Sequence, residues 1–226
     1  MSFTFQDFLA LEVSPALGCT EPVAVALAAA AAAGILPSRF PEHIRICVDG
    51  NVFKNGLAVM IPGTGGRRGL DLAAALGAVA GDAHRGMQVL QGLTQHDVDR
   101  AANLLSTERV VVDLDPTQHG LFIQAEIIIG DHTARAIIQG AHDSIVSLSL
   151  NGRKITDSLL LADTSEAEFS TAHHDVRHLE AWLHEQSLSS LLCLLNQANE
   201  EDLAFLRQGV DMNIQLAEYG LKYASG

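Results

Sequence analysis

Residues 109–152 read RVVVDLDPTQHGLFIQAEIIIGDHTARAIIQGAHDSIVSLSLNG, and this stretch decides the fold. Four apolar runs, 109–115, 121–130, 133–140 and 144–152, are separated by short breaks, and Gly130-Asp131 has the composition of a hairpin turn. They predict an antiparallel meander. Upstream, HIRICVD (43–49) alternates apolar and polar residues like another strand. Leu57–Ile61 is a further short apolar run, and Asn55-Gly56 marks a turn before it.

Around these strands lie Ala-rich segments. Eight of the ten positions 24–33 are alanine, with Pro22 suited to a first helical turn and Thr20 or Glu21 to a cap. LDLAAALGAVAG (70–81) is apolar too continuously for a surface helix, so both predict buried helices. Residues 4–13 read as a short amphipathic helix and 94–105 as a more polar one, with Thr94 as candidate cap. The fold class is therefore α+β, with Ala-rich helices packed on a mixed or antiparallel sheet. A mainly helical C-terminal segment follows. The expected domains are 1–155, then 156–226, the latter a polar linker (156–172) leading into helices at 177–197 and 200–223. The chain stops at LKYASG with no polar tail, which reads as a truncation.

Composition excludes several functions. Of 226 residues, 14 are Lys or Arg and 27 Asp or Glu, a formal charge of −13, and the only adjacent basic pairs are Arg67-Arg68 and Arg153-Lys154. Phosphate backbones and anionic membranes are bound by clustered cations, so neither nucleic acid nor membrane is an expected partner. Three cysteines without scaffold spacing, and no basic residue before Arg39, point to a cytoplasmic protein without a signal peptide.

Cys19 lies at a helix start, where N–H groups and the dipole favour thiolate, the form that binds metal. It reads equally as a small buried hydrophobe. Cys47 and Cys193 read as core. The loop PGTGGRRG (62–69) fails the nucleotide-binding templates, since no Lys-Ser/Thr follows and position 68 is Arg. Its Gly63, Thr64 and Gly65, next to a helix N-terminus, suit a small anion, with Lys54 and Asn55 as further polar contacts; a plain tight turn is the other reading. His142-Asp143 is either a proton-transfer pair or a capped turn. His174 and His178, beside His173 and Asp175, have chelating spacing but no third ligand, and a solvated helix start explains them as well.

Taken together, EVSPALGCTEPVAVALAAA, Lys54-Asn55-Gly56, IPGTGGRRG, AHDSIV and the following NG resemble the L-cysteine desulfidase-like family, relatives of the iron–sulfur L-serine dehydratases. The resemblance runs from Glu12 to the end and matches the N-terminal half of such proteins. It implies a pyridoxal-independent lyase converting L-cysteine to pyruvate, ammonia and sulfide, with L-serine dehydration as the near alternative. It also implies a [4Fe-4S] cluster in the complete protein, ligated by three cysteines of which Cys19 matches one. Neither Cys47 nor Cys193 matches a family motif, so this chain alone is expected to lack the cluster and to be inactive. By the same resemblance Lys54, Asn55, Gly63, Thr64 and Gly65 contact a small amino-acid substrate and His142 carries a proton. The alternative from another class is a non-catalytic amino-acid-binding or oligomerisation module, and a homo-oligomer is expected in either case.

Overall fold

The computed structural model describes residues 3–13, 16, 18–155, 178–179 and 181–223. The chain divides into two compact units, Ala16–Asp163 and a second made of Met1–Pro15 with Thr164–Gly226. The first helix therefore groups with the C-terminal segment rather than with the sheet.

The larger unit is built on a six-stranded mixed sheet. Its strands are β1 (His43–Val48), β2 (Val110–Leu114), β3 (Phe122–Ile129), β4 (His132–Gln139), β5 (Ile145–Leu150) and β6 (Arg153–Lys154), in the order β2-β1-β3-β4-β5-β6. From β3 to β5 the expected antiparallel meander is present, with Gly130 and Asp131 between β3 and β4, and the two-residue β6, which was not expected, extends it. The expectation fails at β2. That strand pairs in parallel with β1, Ile46 opposite Val112, while β1 runs antiparallel to β3. Parallel pairing needs a long crossover, and the helices between β1 and β2 provide it.

One face of the sheet is buried. Ile44, Ile46 and Val48 of β1, Ile123, Ala125 and Ile127 of β3 and Ala134, Ala136 and Ile138 of β4 all point to it, in the two-residue period of a strand. Against it pack α2 (Thr20–Gly34) and α4 (Leu70–Ala80), with α5 (Gln95–Ser106) beside α4 and a 3₁₀ turn at Ala83–Gln88. Every residue of α2 from Pro22 to Ala33 is buried, which explains its lack of charge: neither side meets water. Alanine permits the close approach. A Cβ on Gly77 of α4 would fall on the carbonyl oxygen of Ala26 in α2, so the two backbones nearly touch.

Two local expectations are corrected. Residues Gly50–Gly56 form a short helix, α3, where a turn at Asn55-Gly56 was expected, and Leu57–Ile61 forms no strand beyond an isolated bridge from Met60 to Arg68. Asp49 is the cause. Its carboxylate accepts from the N–H groups of Asn51 and Val52, capping α3, and its other oxygen accepts from Phe122 N at the start of β3. The second correction is the cap of α2, which is Cys19 rather than Thr20 or Glu21. By contrast α5 starts as expected, with Thr94 and Asp97 in a reciprocal capping box.

In the second unit, α1 (Phe5–Glu12) is capped by a Thr4–Asp7 box and buries Phe5 and Leu9. Instead of one helix over 177–197, the described residues show helix at 178–179 and 181–184, a break, then α6 (Leu188–Leu195). Helix α7 (Glu200–Tyr223) follows, Asn199 accepting from the N–H groups of Glu201 and Asp202. The linker expected at 156–172 and the residues His173, His174 and Asp175 lie outside the described residues; His178 is exposed.

Candidate functional site

The sheet register brings several chain segments to one end of the larger unit. Val48 at the end of β1 pairs with Ile123 and with Leu114, and Phe122 pairs with Gln139 at the end of β4. Here β1 passes into Asp49 and α3, and β4 passes through His142 into β5.

The N-terminus of α2 meets this end. Glu21, in the first turn of α2, is the hub. Its Oε2 accepts the Cys19 thiol at 2.9 Å and the Thr20 hydroxyl at 3.3 Å, and its Oε1 accepts from Asn55 Nδ2 at 3.0 Å. His142 is near enough for its charge to act on the Glu21 carboxyl. Gly18, with φ +95°, lies against the ring of Pro62: a Cβ there would sit 2.8 Å from Pro62 Cγ. Four segments far apart in sequence thus converge: GCTEP, the end of α3, the head of the glycine-rich loop and the β4–β5 turn.

Electrostatics at this cluster run against the thiolate expectation. Burial, together with the hydrogen bond and negative charge of Glu21, pushes the Cys19 thiol up, and the N–H groups of Glu21 and Thr20 do not offset this. In this chain Cys19 is a hydrogen-bond donor to Glu21. For Glu21, burial acts to raise the carboxyl. The bonds from Cys19 and Asn55 and the charge of His142 outweigh it and leave the pKa below the ordinary value.

The glycine-rich loop closes on itself. Thr64, 4% exposed, donates its hydroxyl to Ile61 O at 2.6 Å with Arg67 O at 3.3 Å, and Ile61 N bonds Arg67 O. Thr64 therefore shapes the loop rather than presenting its hydroxyl outward. Gly63, Gly65 and Gly66 are exposed with φ of +79°, +70° and +85°, values that favour glycine, and their backbone is the accessible part. The following helix N-terminus already has an anion: Asp71 sits in the first turn of α4 and accepts from Leu72 N. Lys54 is exposed on α3.

Of the sequence candidates, Cys19 and Asn55 share Glu21, His142 is close by, and Gly63, Thr64 and Gly65 belong to the loop that Pro62 anchors at Gly18. Glu21 and Asp49 were missed. The signal for Glu21 was a carboxylate two residues after a cysteine at the head of an uncharged helix; for Asp49, it was an Asx residue directly before Gly50-Asn51.

Does the donor set fit an iron–sulfur cluster? Cys47 is on β1 with its neighbours Ile46 and Val48 buried on the opposite face, so it lies on the sheet side away from α2. Cys193 is exposed on α6 in the other unit. Among the described residues no three His, Cys, Asp or Glu side chains form a group that could hold a metal ion. The chain offers one thiol of the three such a cluster needs, and does not fit one by itself. No helix among the described residues is long and apolar enough to cross a membrane.

An α+β protein with a Cys–Glu–Asn cluster at a buried helix head is the class that fold and site define. The chain is similar over its whole length to proteins named UPF0597: it is 46% identical over 226 residues to one from Desulfotalea psychrophila, covering 51% of that relative. It is 43% identical over 227 residues to one from Desulfatibacillum aliphaticivorans, covering 51% of it. With the Geobacter sulfurreducens protein it shares 38% over 216 residues, 96% of this chain and 48% of the relative. These names state no substrate, cofactor or reaction. The chain spans about half the length of the curated relatives it matches, and no family model matches it.

Proposed function

We propose that this chain supplies the Cys19-bearing portion of a pyridoxal-independent iron–sulfur β-eliminating lyase, a member of the L-cysteine desulfidase-like group that its motifs resemble. The reaction is L-cysteine plus water giving pyruvate, ammonia and sulfide, with L-serine dehydration as the close alternative. The observation that supports it is the convergence of the GCTEP segment, Asn55, the Pro62 end of the glycine-rich loop and His142 on one helix head.

In this reading Cys19 is one of three ligands, and the other two come from polypeptide corresponding to the half of the relatives that this chain does not span. When bound, a [4Fe-4S] cluster supplies a Lewis-acidic iron for the departing sulfur. The chain's own residues position the substrate. Asn55 and the exposed backbone of Gly63 and Gly65 hold the amino acid, Lys54 adds positive charge for its carboxylate, and Thr64 keeps the loop in shape. His142 is the proton carrier. The assembled protein is a homo-oligomer of the cytoplasm, with neither nucleic acid nor membrane as partner.

A second reading, a cluster-free amino-acid-binding or assembly module, is favoured by one observation: the Cys19 thiol donates to Glu21 and has no companion ligands among the described residues.

The test is anaerobic reconstitution with iron and sulfide, in parallel on this chain and on a polypeptide of the relatives' full length. The expected result is iron uptake and L-cysteine-dependent pyruvate release by the long form alone, both abolished by Cys19→Ala. Survival of activity in Cys19→Ala would overturn the ligand assignment. Pyruvate from L-serine but not L-cysteine would assign the dehydratase. A colourless long form that binds either amino acid would establish the module.

A further inference from the structure

A cavity of about 350 Å³ opens at the far end of the larger unit, where α4 ends and β1 and β2 begin. Helix α2 separates it from Cys19, and 15 residues at 1.5 Å each span about 22 Å. Three arginines line it, Arg39, Arg100 and Arg109, together with Phe40.

Two of these arginines have a structural task. Arg39 Nη1 donates to Gly81 O at 2.6 Å and Arg100 Nη1 to Val79 O at 3.4 Å, where the carbonyls at the end of α4 want cations. Arg100 Nη2 also donates to Arg39 O at 2.9 Å. That task leaves much of the arrangement unexplained. In a chain with 27 acidic residues against 14 basic ones, Arg39 and Arg109 make no ion pair among the described residues, and Arg100 has only Asp97 at 3.8 Å. Glu42, the one carboxylate in the lining, is exposed and pairs with none of them. Burial lowers the pKa of Arg39, and the charge of Asp82 only partly opposes it. A half-buried cation whose counter-charge is only partial costs stability unless something else completes it.

Phe40 is the second oddity. It is 72% exposed, with the Arg100 guanidinium 5.1 Å from its ring centroid, so one face is covered by a cation and the other is open. Neither the core nor the end of α4 needs an aromatic ring there. Three unpaired or weakly paired guanidinium groups beside an open ring, in a cavity of ligand size, make a combined anion and stacking site.

We propose that this cavity binds a small organic oxyanion, a carboxylate or phosphate carrying a planar apolar body, the oxyanion held by Arg109 and Arg39 and the planar body laid on Phe40. The site is independent of the lyase reading, because none of its residues belongs to the Cys19 cluster.

The test titrates the isotope-labelled 226-residue chain with phenyl phosphate, inorganic phosphate and phenol, followed by amide NMR. Phenyl phosphate is expected to shift the signals of Phe40, Asn103 and Arg109 saturably and to bind about tenfold more tightly than inorganic phosphate, with phenol not saturating. Arg109→Ala should weaken phenyl phosphate about fivefold or more, and Phe40→Ala should bring it to the level of inorganic phosphate. Both side chains are exposed, so an unchanged spectrum elsewhere verifies the fold. Cys19→Ala should leave the affinity unchanged. Shifts mapping to other surfaces, equal affinity of the two phosphates, or parent-like binding by Arg109→Ala would each overturn the proposal.

Discussion

The Cys19 thiol donates to the carboxylate of Glu21 at 2.9 Å, and burial together with this bond pushes the thiol pKa up at the head of α2. A thiol held this way ionises above the ordinary range, so at a given pH less of it is thiolate. Alkylation by iodoacetamide near pH 8, followed cysteine by cysteine in the mass spectrometer, should therefore be slower at Cys19 than at exposed Cys193. Glu21→Gln removes the charge while keeping an acceptor, and should speed alkylation of Cys19 by about threefold or more without altering Cys193. An unchanged Cys19 rate in that variant would show that the carboxylate does not govern the thiol.

Gly77 offers a sign test for the α2–α4 contact. In an open helix, Gly→Ala stabilises by up to about 1 kcal/mol. At Gly77 the new Cβ would meet the Ala26 carbonyl, which belongs to backbone and cannot rotate away. Overpacking should win, and Gly77→Ala should lose about 2 to 3 kcal/mol in urea unfolding. Gly209→Ala, on α7 with nothing within 4 Å of its Cβ, should instead gain some tenths to about 1 kcal/mol.

Asp49 is 2% exposed and satisfies three backbone N–H groups, those of Asn51, Val52 and Phe122. Asp49→Ala strands all three and should cost about 2 to 4 kcal/mol. Since α3 carries Asn55 to Glu21, the same variant should also quicken Cys19 alkylation. Asp49→Asn, which keeps an acceptor, should lose less than half as much. If the alanine and asparagine variants unfold at the same urea concentration, the acceptor role assigned here is wrong.

Acid should weaken the cap of α5. Bonds from the Thr94 hydroxyl and backbone hold the Asp97 carboxyl below its ordinary value against the effect of burial, with the charges of Arg100 and His96 adding to them. A carboxylate depressed in the folded state contributes its full stability above the unfolded value near 3.9 and loses it as pH falls through the lower folded value. Thermal midpoints should therefore fall less steeply from about pH 5 down to about pH 3 in Asp97→Asn than in the parent chain. Parallel curves for the two proteins would show that Asp97 is not linked to folding.

What could be read from the sequence followed what is local. Thr94 announces α5, the alanines of 24–33 announce a buried helix, alternation announces β1, and apolar runs bounded by turn residues announce β3 to β5. The parallel placement of β2 was not legible, because nothing in RVVVDLD distinguishes a meander neighbour from a crossover partner. Helix α3 was hidden because seven residues bounded by Gly50 and Gly56 are too few to show a period, and Asn55-Gly56 imitates a hairpin turn. At the site, the positions of Cys19 and Asn55 were legible. Their state was not: whether the helix dipole or a neighbouring carboxylate sets a thiol depends on which way Glu21 turns.

Helix α7 carries two apolar stripes. Leu203, Val210, Ile214 and Leu221 recur at intervals of seven and four, and Phe205, Met212 and Leu216 repeat the pattern two residues later. At 3.6 residues per turn, two residues place the second stripe on the other side of the helix from the first. All seven side chains are exposed. A helix with two apolar sides wants a neighbour on each, and exposed apolar area of this extent drives association. Light scattering coupled to gel filtration should accordingly give this chain a mass above that of the monomer. Val210→Glu combined with Leu216→Glu puts one charge on each stripe and should return it to the monomer, while leaving the Cys19 alkylation rate in the other unit unchanged. A parent chain that elutes as a monomer at all concentrations would refute self-association through α7.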